Sequence, residues 1–297
     1  LEKISKNFQN VFEAVSSNIL LIVLYKKNVK KEFYMLNVFI EGIPGSGKST
    51  LLGGLQKSFP EYKFYYEGDI SPVELAWCSY MTSEQYKKAI EDWPQLELKI
   101  KENSKREDNH YIVSYTRIHI NNPDFYRYME QYEIYGGRRN IQDFSKIIME
   151  RFHKLNETGN VFECAFFQNI IEELMLFAEY DDEQILEFYS KLIADISDDF
   201  LVIRLISTDI KNSIKHIKEE RINEQGEEAW YHLMMDYLNQ SPYGKSHNYE
   251  NFDDLLSHFN RRISIEKRIS NELLHKRCID VESKNYQLDD IVNLLKK

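Results

Sequence analysis

The chain has 297 residues, 42% of them hydrophobic and 13% aromatic, which is enough to bury a substantial core and excludes a disordered polymer. Its formal charge is −10, from 38 basic and 48 acidic side chains, which argues against a general nucleic-acid binder and against a partner of anionic membranes. The three cysteines, Cys78, Cys164 and Cys278, are odd in number and far apart, a pattern of reduced core thiols that points to the cytoplasm.

Residues 1–34 read as an N-terminal extension outside the core, because Met35 opens an apolar run that would make a natural protein start. Within the extension, ILLIVLY (Ile19–Tyr25) is far shorter than the ~20 residues of a membrane helix. Lysines follow it, not a small-residue cleavage site. Residues 35–297 then read as one domain. MLNVFIE (35–41) is a short apolar run bounded by glycine, the mark of a buried strand. Leu51, Leu52, Leu55 and Phe59 recur at helical spacing until Pro60. Tyr62–Tyr66 reads as a second strand. Residues 73–100 and 124–155 carry mostly helical periodicity, separated by the polar KENSKREDN (101–109) and a strand-like YIVSYTRI (111–118). A helical insertion is therefore expected at about 73–160. Further apolar runs fall at 161–167, 200–206 and 278–281. Strands alternating with helices predict an α/β fold: a doubly wound parallel five-stranded sheet flanked by helices.

Glycine is scarce, with 11 in the chain, yet Gly42, Gly45, Gly47, Gly53 and Gly54 fall close together. Gly42-x4-Gly47-Lys48-Ser49 matches a phosphate-binding P-loop, with a strand before it and a helix after it. The expected nucleotide-binding residues are Gly42, Ile43, Pro44, Gly45, Ser46, Gly47, Lys48, Ser49 and Thr50. Glycines let backbone N–H groups converge on phosphate oxygens, and the helix adds its positive end. Lys48 would reach the β- and γ-phosphates of ATP, and the Ser49 hydroxyl would ligate Mg²⁺. Gly53 and Gly54 lie inside the helix, where each costs about 1 kcal/mol relative to alanine. Close packing of helix against sheet is the expected compensation. The sequence has neither the Asn/Thr-Lys-x-Asp motif of a GTPase nor the apolar run ending in Asp-Glu of an AAA-type motor.

Ile40-Glu41-Gly42 leading into Gly45-Ser46-Gly47-Lys48-Ser49-Thr50 resembles the start of deoxynucleoside kinases and thymidylate kinases. Four later stretches resemble the same family in the same order: FYYEGDISPVELAW (64–77), VFECAFFQN (161–169), FLVIRLISTDIKNSIKHIKEER (200–221) and CIDVES (278–283). The resemblance spans residues 35–297, and only the P-loop is specific by itself.

The resemblance implies that Glu67 or Asp69 is the catalytic base, with Glu67 preferred, although Ser71 stands before Pro72 where the family has a glutamate. It implies that Glu163 helps hold Mg²⁺. A carboxylate interrupting an apolar strand needs some partner, and a structural hydrogen bond is the alternative. The family's arginine after this glutamate is Cys164 here, and its later Asp-Arg is Gln168-Asn169, which removes a cationic clamp. Lys218 and Arg221 lie in the expected lid (about 211–230), and Arg221 joins Lys48, Glu67 and Asp69 in the expected catalytic set. Arg138 and Arg139 offer another cation, or a solvated turn. Trp77 suits stacking on a planar substrate as well as it suits the core. Phe125, Tyr128, Met129 and Tyr132 share one helical face and read more simply as core.

The expected function is a cytoplasmic P-loop kinase, which transfers the γ-phosphate of ATP, with Mg²⁺, to a small molecule, foremost a nucleoside or nucleotide. The rival is a nucleotide-dependent switch without a small-molecule acceptor. The expected partners are ATP and the acceptor, with no nucleic acid and no membrane; a homodimer is left open.

Overall fold

The computed structural model describes residues 35–223 and 225–296; the extension 1–34, with the run Ile19–Tyr25, lies outside the described residues. Along the chain, β1 (Asn37–Gly42) leads through the glycine loop into α1 (Lys48–Ser58) and β2 (Lys63–Tyr65). There follow β3 (Ser79–Thr82), α2 (Ser83–Asp92), α3 (Glu97–Glu102), β4 (Ser104–Glu107), β5 (His110–Val113), α4 (Pro123–Glu130) and α5 (Ile141–His153). Next come β6 (Asn160–Glu163), α6 (Gln168–Glu172), α7 (Asp182–Asp195), β7 (Phe200–Ile206) and α8 (Ile210–Glu220). The chain continues through α9 (Ala229–Gln240), α10 (Pro242–Ser246), α11 (Phe252–Ile269), β8 (Cys278–Glu282) and α12 (Leu288–Leu295).

The strands β2-β6-β1-β7-β8, in that order, make one five-stranded sheet, and every pairing in it is parallel. β1 is central and buried along its length, which is why it reads as an unbroken apolar run instead of an alternating one. Its alternate side chains serve two cores. Val38 and Ile40 pack with Leu51, Leu52 and Leu55 of α1 and with Ile291 and Val292 of α12. Phe39 faces the other way, into a core shared with α5, α7 and α11. Helices thus cover both faces of the sheet. Phe39 also centres a group of rings: Phe162 at 5.0 Å, Phe166 at 5.2 Å, Phe200 at 6.0 Å and Phe152 at 6.1 Å.

The insertion differs from the expected helical one. β3, β5 and β4 form a three-stranded antiparallel sheet, so 73–100 is not helical throughout, and the polar 101–109 contains a strand. β4 is an edge strand with mostly exposed or half-exposed side chains, and edge strands tolerate charge. The expected core face of α4 is there: Phe125 and Met129 are fully buried, with Tyr128 and Tyr132 packed against their cluster. The expected compensation for Gly54 is also different. A Cβ there would lie 3.0 Å from Leu288, so the close approach is between α1 and α12, not between helix and sheet.

Because the five strands run parallel, the loops that follow them gather at one edge of the sheet, where ligands of open α/β sheets bind.

Candidate functional site

A cleft of about 1790 Å³ opens at that edge. Pro44–Thr50 lines one part of it, and side chains from the insertion and from α6, α9 and α11 line much of the rest. Gly42 is required sterically: with φ +150°, any Cβ would fall 2.7 Å from the carbonyl oxygen of Leu205. At Gly47, with φ +93°, no atom lies within 4 Å of where a Cβ would sit. The backbone at the head of α1 is therefore open to an anion, which the helix end would favour.

Lys48 is buried, and its ammonium donates to the carbonyls of Gly42 (2.9 Å) and Ile43 (3.2 Å). Beside it, the Ser49 hydroxyl donates to Glu163 Oε1 at 2.5 Å. Glu163 closes β6 and is buried. Its other oxygen accepts the Glu67 backbone N–H at 3.4 Å. The alternative of a hydrogen-bonded Glu163 is thus present, and it brings a hydroxyl and a carboxylate oxygen together. Ser49 and Glu163 suit Mg²⁺, which takes one or two protein oxygens together with substrate phosphates. Among the described residues, no group of three or more His, Cys, Asp or Glu side chains could hold a metal ion.

Glu67 lines the cleft, and its Oε1 accepts from Trp77 Nε1 and from Gln168 Nε2, both at 3.2 Å. Trp77 is 45% exposed, so the stacking reading suits it better than the core one. Asp69 is placed differently. Its carboxylate accepts the Tyr66 N–H at 2.8 Å and pairs with Arg117, and it is not among the cleft-lining residues. Arg221 lines the cleft just beyond α8, whereas Lys218 is paired with Glu228 at 3.0 Å and lies 4.1 Å over the Tyr231 ring. Arg138 lines the cleft but is paired with Glu130, and Arg139 donates to the carbonyls of Tyr80 and Tyr132.

Two groups of polar side chains escaped the sequence reading. The first lies under the loop. Glu41 is fully buried and accepts the N–H groups of Phe166 (2.7 Å) and Gln168 (3.1 Å), fixing the turn that launches α6. Burial pushes its carboxyl up to about 7 against the pull of those donors. A carboxylate closing an apolar strand was its signal, as for Glu163. Arg262, on α11, donates to Glu172 Oε1 (2.8 Å), Glu266 Oε1 (3.1 Å) and the Gly42 carbonyl (3.2 Å). Glu172 is also 2.9 Å from His258. Burial would raise Glu172, but His258 and Arg262 outweigh it and hold the carboxyl at about 2. Nothing in the sequence near residue 262 separates it from a solvated helix face.

The second group lines or backs the far end of the cleft. Glu133 accepts the Tyr115 hydroxyl, Glu74 accepts the Tyr135 hydroxyl at 3.2 Å, and Glu173 accepts the Gly137 N–H at 3.1 Å. Burial pushes Glu74 up to about 8 and Glu133 and Glu173 up to about 7. Trp77, Tyr135, Phe177, Trp230 and Tyr237 give this end aromatic walls.

Among the described residues no helix is long and apolar enough to cross a membrane. Comparison of the chain with models of known families and with curated proteins finds no match.

Proposed function

We propose that this chain is an ATP-dependent phosphotransferase acting on a small hydroxylated molecule, foremost a nucleoside or nucleotide. The observation that carries the reading is the run of contacts Ser49–Glu163–Glu67, which ties the phosphate-loop serine to a second carboxylate facing the same cleft. A nucleotide switch needs the first two of these residues. It has no use for a carboxylate held between a tryptophan and a glutamine across from the loop.

In this reading the phosphates of ATP lie along Pro44–Thr50, and Lys48 turns from the loop carbonyls toward them. The acceptor stacks against Trp77 with its hydroxyl at Glu67. The hydroxyl oxygen attacks the γ-phosphorus, the bond from phosphorus to the β–γ bridging oxygen breaks, ADP departs, and Glu67 takes the hydroxyl proton. Mg²⁺, held at Ser49 and Glu163, would neutralise charge on the phosphate oxygens. Arg221 supports the transferring group from the lid side.

The test is transfer of label from γ-labelled ATP, with Mg²⁺, to a panel of nucleosides, nucleoside monophosphates and aminoglycosides. A labelled product is expected, and its formation should fall about a hundredfold or more in Lys48→Ala, which removes a charge aimed at the transferring phosphate. Lys48-dependent binding of ATP without any labelled acceptor would favour the switch instead. No ATP binding by the unaltered chain would overturn both.

A further inference from the structure

The loop lysine and a buried arginine share one acceptor. The Gly42 carbonyl receives Lys48 Nζ at 2.9 Å and Arg262 Nη2 at 3.2 Å. Arg262 is 1% exposed, and its Nη1 and Nε are held by Glu172 on α6 and by Glu266 one turn along α11. Its guanidinium also lies 5.4 Å from the centre of the Phe259 ring. A planar fork bonded in three directions does not move easily, whereas the lysine carries its charge on a flexible four-carbon stem.

The other carbonyl that Lys48 reaches, Ile43, has a second donor as well, the Ser46 N–H at 3.2 Å. Each oxygen that Lys48 would abandon is therefore already held by a group that stays. We propose that Arg262 is a positioning residue of the phosphate loop, keeping the Gly42 carbonyl bonded when Lys48 turns to the phosphates of a nucleotide. Its role is to make the departure of Lys48 cheap and to keep the loop in shape while the lysine is away. Through Glu172 the same side chain ties the loop to α6, which carries Gln168 at its start. The proposal rests on the phosphate-loop reading given above.

A double-mutant cycle on ATP affinity tests it, with Mg·ATP titrated into the full chain by calorimetry. With Lys48 present, Arg262→Met leaves the Gly42 carbonyl without any side-chain donor only in the bound state, because Lys48 still holds it when ATP is absent, so the Kd should rise about tenfold. In a Lys48→Met background the carbonyl lacks both side chains whether or not ATP is bound. Arg262→Met should then change the Kd by less than about twofold. Losses that multiply in full would mean that Arg262 acts through its charge or through general stability, and would overturn the proposal while leaving the loop reading intact. ATP affinity that is absent, or unchanged by Lys48→Met alone, would overturn the loop reading and the proposal with it. Should Arg262→Met fail to fold, Arg262→Lys enters the same cycle, because it keeps a charge beside Glu172 and Glu266 but loses the planar fork.

Discussion

Glu41 aside, the two ends of the cleft are held together by different chemistry. At the loop end, cations grip backbone carbonyls: Lys48 and Arg262 meet on Gly42, and Arg262 is balanced by Glu172 and Glu266. At the insertion end, buried carboxylates are gripped by neutral donors, two tyrosine hydroxyls and a glycine N–H. The first arrangement keeps positive charge in reserve for an anion, because backbone carbonyls release it without leaving a bare carboxylate behind. The second holds its acids by burial, which pushes their carboxyls up to about 7 or 8, so they stand behind the aromatic walls with less charge than free carboxylates would carry. The open backbone at one end would favour an anion, and the aromatic walls at the other would favour a flat molecule.

That contrast can be broken most severely at Glu67, where the two ends meet. Glu67→Gln should lower phosphate transfer by about a hundredfold or more while leaving ATP affinity within about a factor of two, read from initial rates and a separate ATP titration. Equal losses in rate and affinity would place Glu67 with the loop instead of with the acceptor. A smaller effect belongs to the buried acids. A carboxyl raised in the folded state binds more protons folded than unfolded, so its contribution is full below the ordinary value of 4.5 and is lost as pH climbs through the raised value, about 8 for Glu74. Melting temperature should therefore fall between pH 5 and pH 8. Glu74→Gln, which cannot ionise, should flatten that fall, and thermal melts of both proteins across the range would sharpen or remove the distinction between the two ends. The smallest effect is expected at Asp69, whose partner Arg117 is 49% exposed. Asp69→Asn should cost under about 1 kcal/mol in chemical denaturation and leave transfer within about twofold. A large loss of transfer would return Asp69 to the set of candidate bases.

At the loop end the sequence located the open backbone turn that heads α1, because its residues are contiguous. Gly42–Thr50 carries a bend, an open backbone, a lysine and a hydroxyl within nine positions, the string a phosphate loop would need. The parallel sheet was legible because strands buried on both faces leave unbroken apolar runs. The insertion was not. SYMT (Ser79–Thr82) is too short to establish a period, and SKRE (Ser104–Glu107) is an edge strand whose composition is that of a turn. Arg262, Glu172 and His258 were illegible for a different reason. On α11 their neighbours Asn260 and Arg261 are as polar as they are, and only the fold reveals that Arg262 and His258 point inward, as Glu172 does on α6. The sequence also left Asp69 open as an alternative to the preferred Glu67, because only the fold sets Arg117 beside Asp69.

The group of rings around Phe39 bears on how such a chain can drift. Its members come from β1, α5, β6, the turn after β6, and β7, so no local segment contains the set. Close-packed interiors tolerate exchange of one large residue for another far better than gain or loss of volume. Positions 39, 152, 162, 166 and 200 should therefore change in compensating pairs, a larger residue at one accompanied by a smaller one at another. The trace of the sheet would then survive in a distant descendant as correlated substitution at these five positions, even after the residues lining the cleft had been exchanged for others.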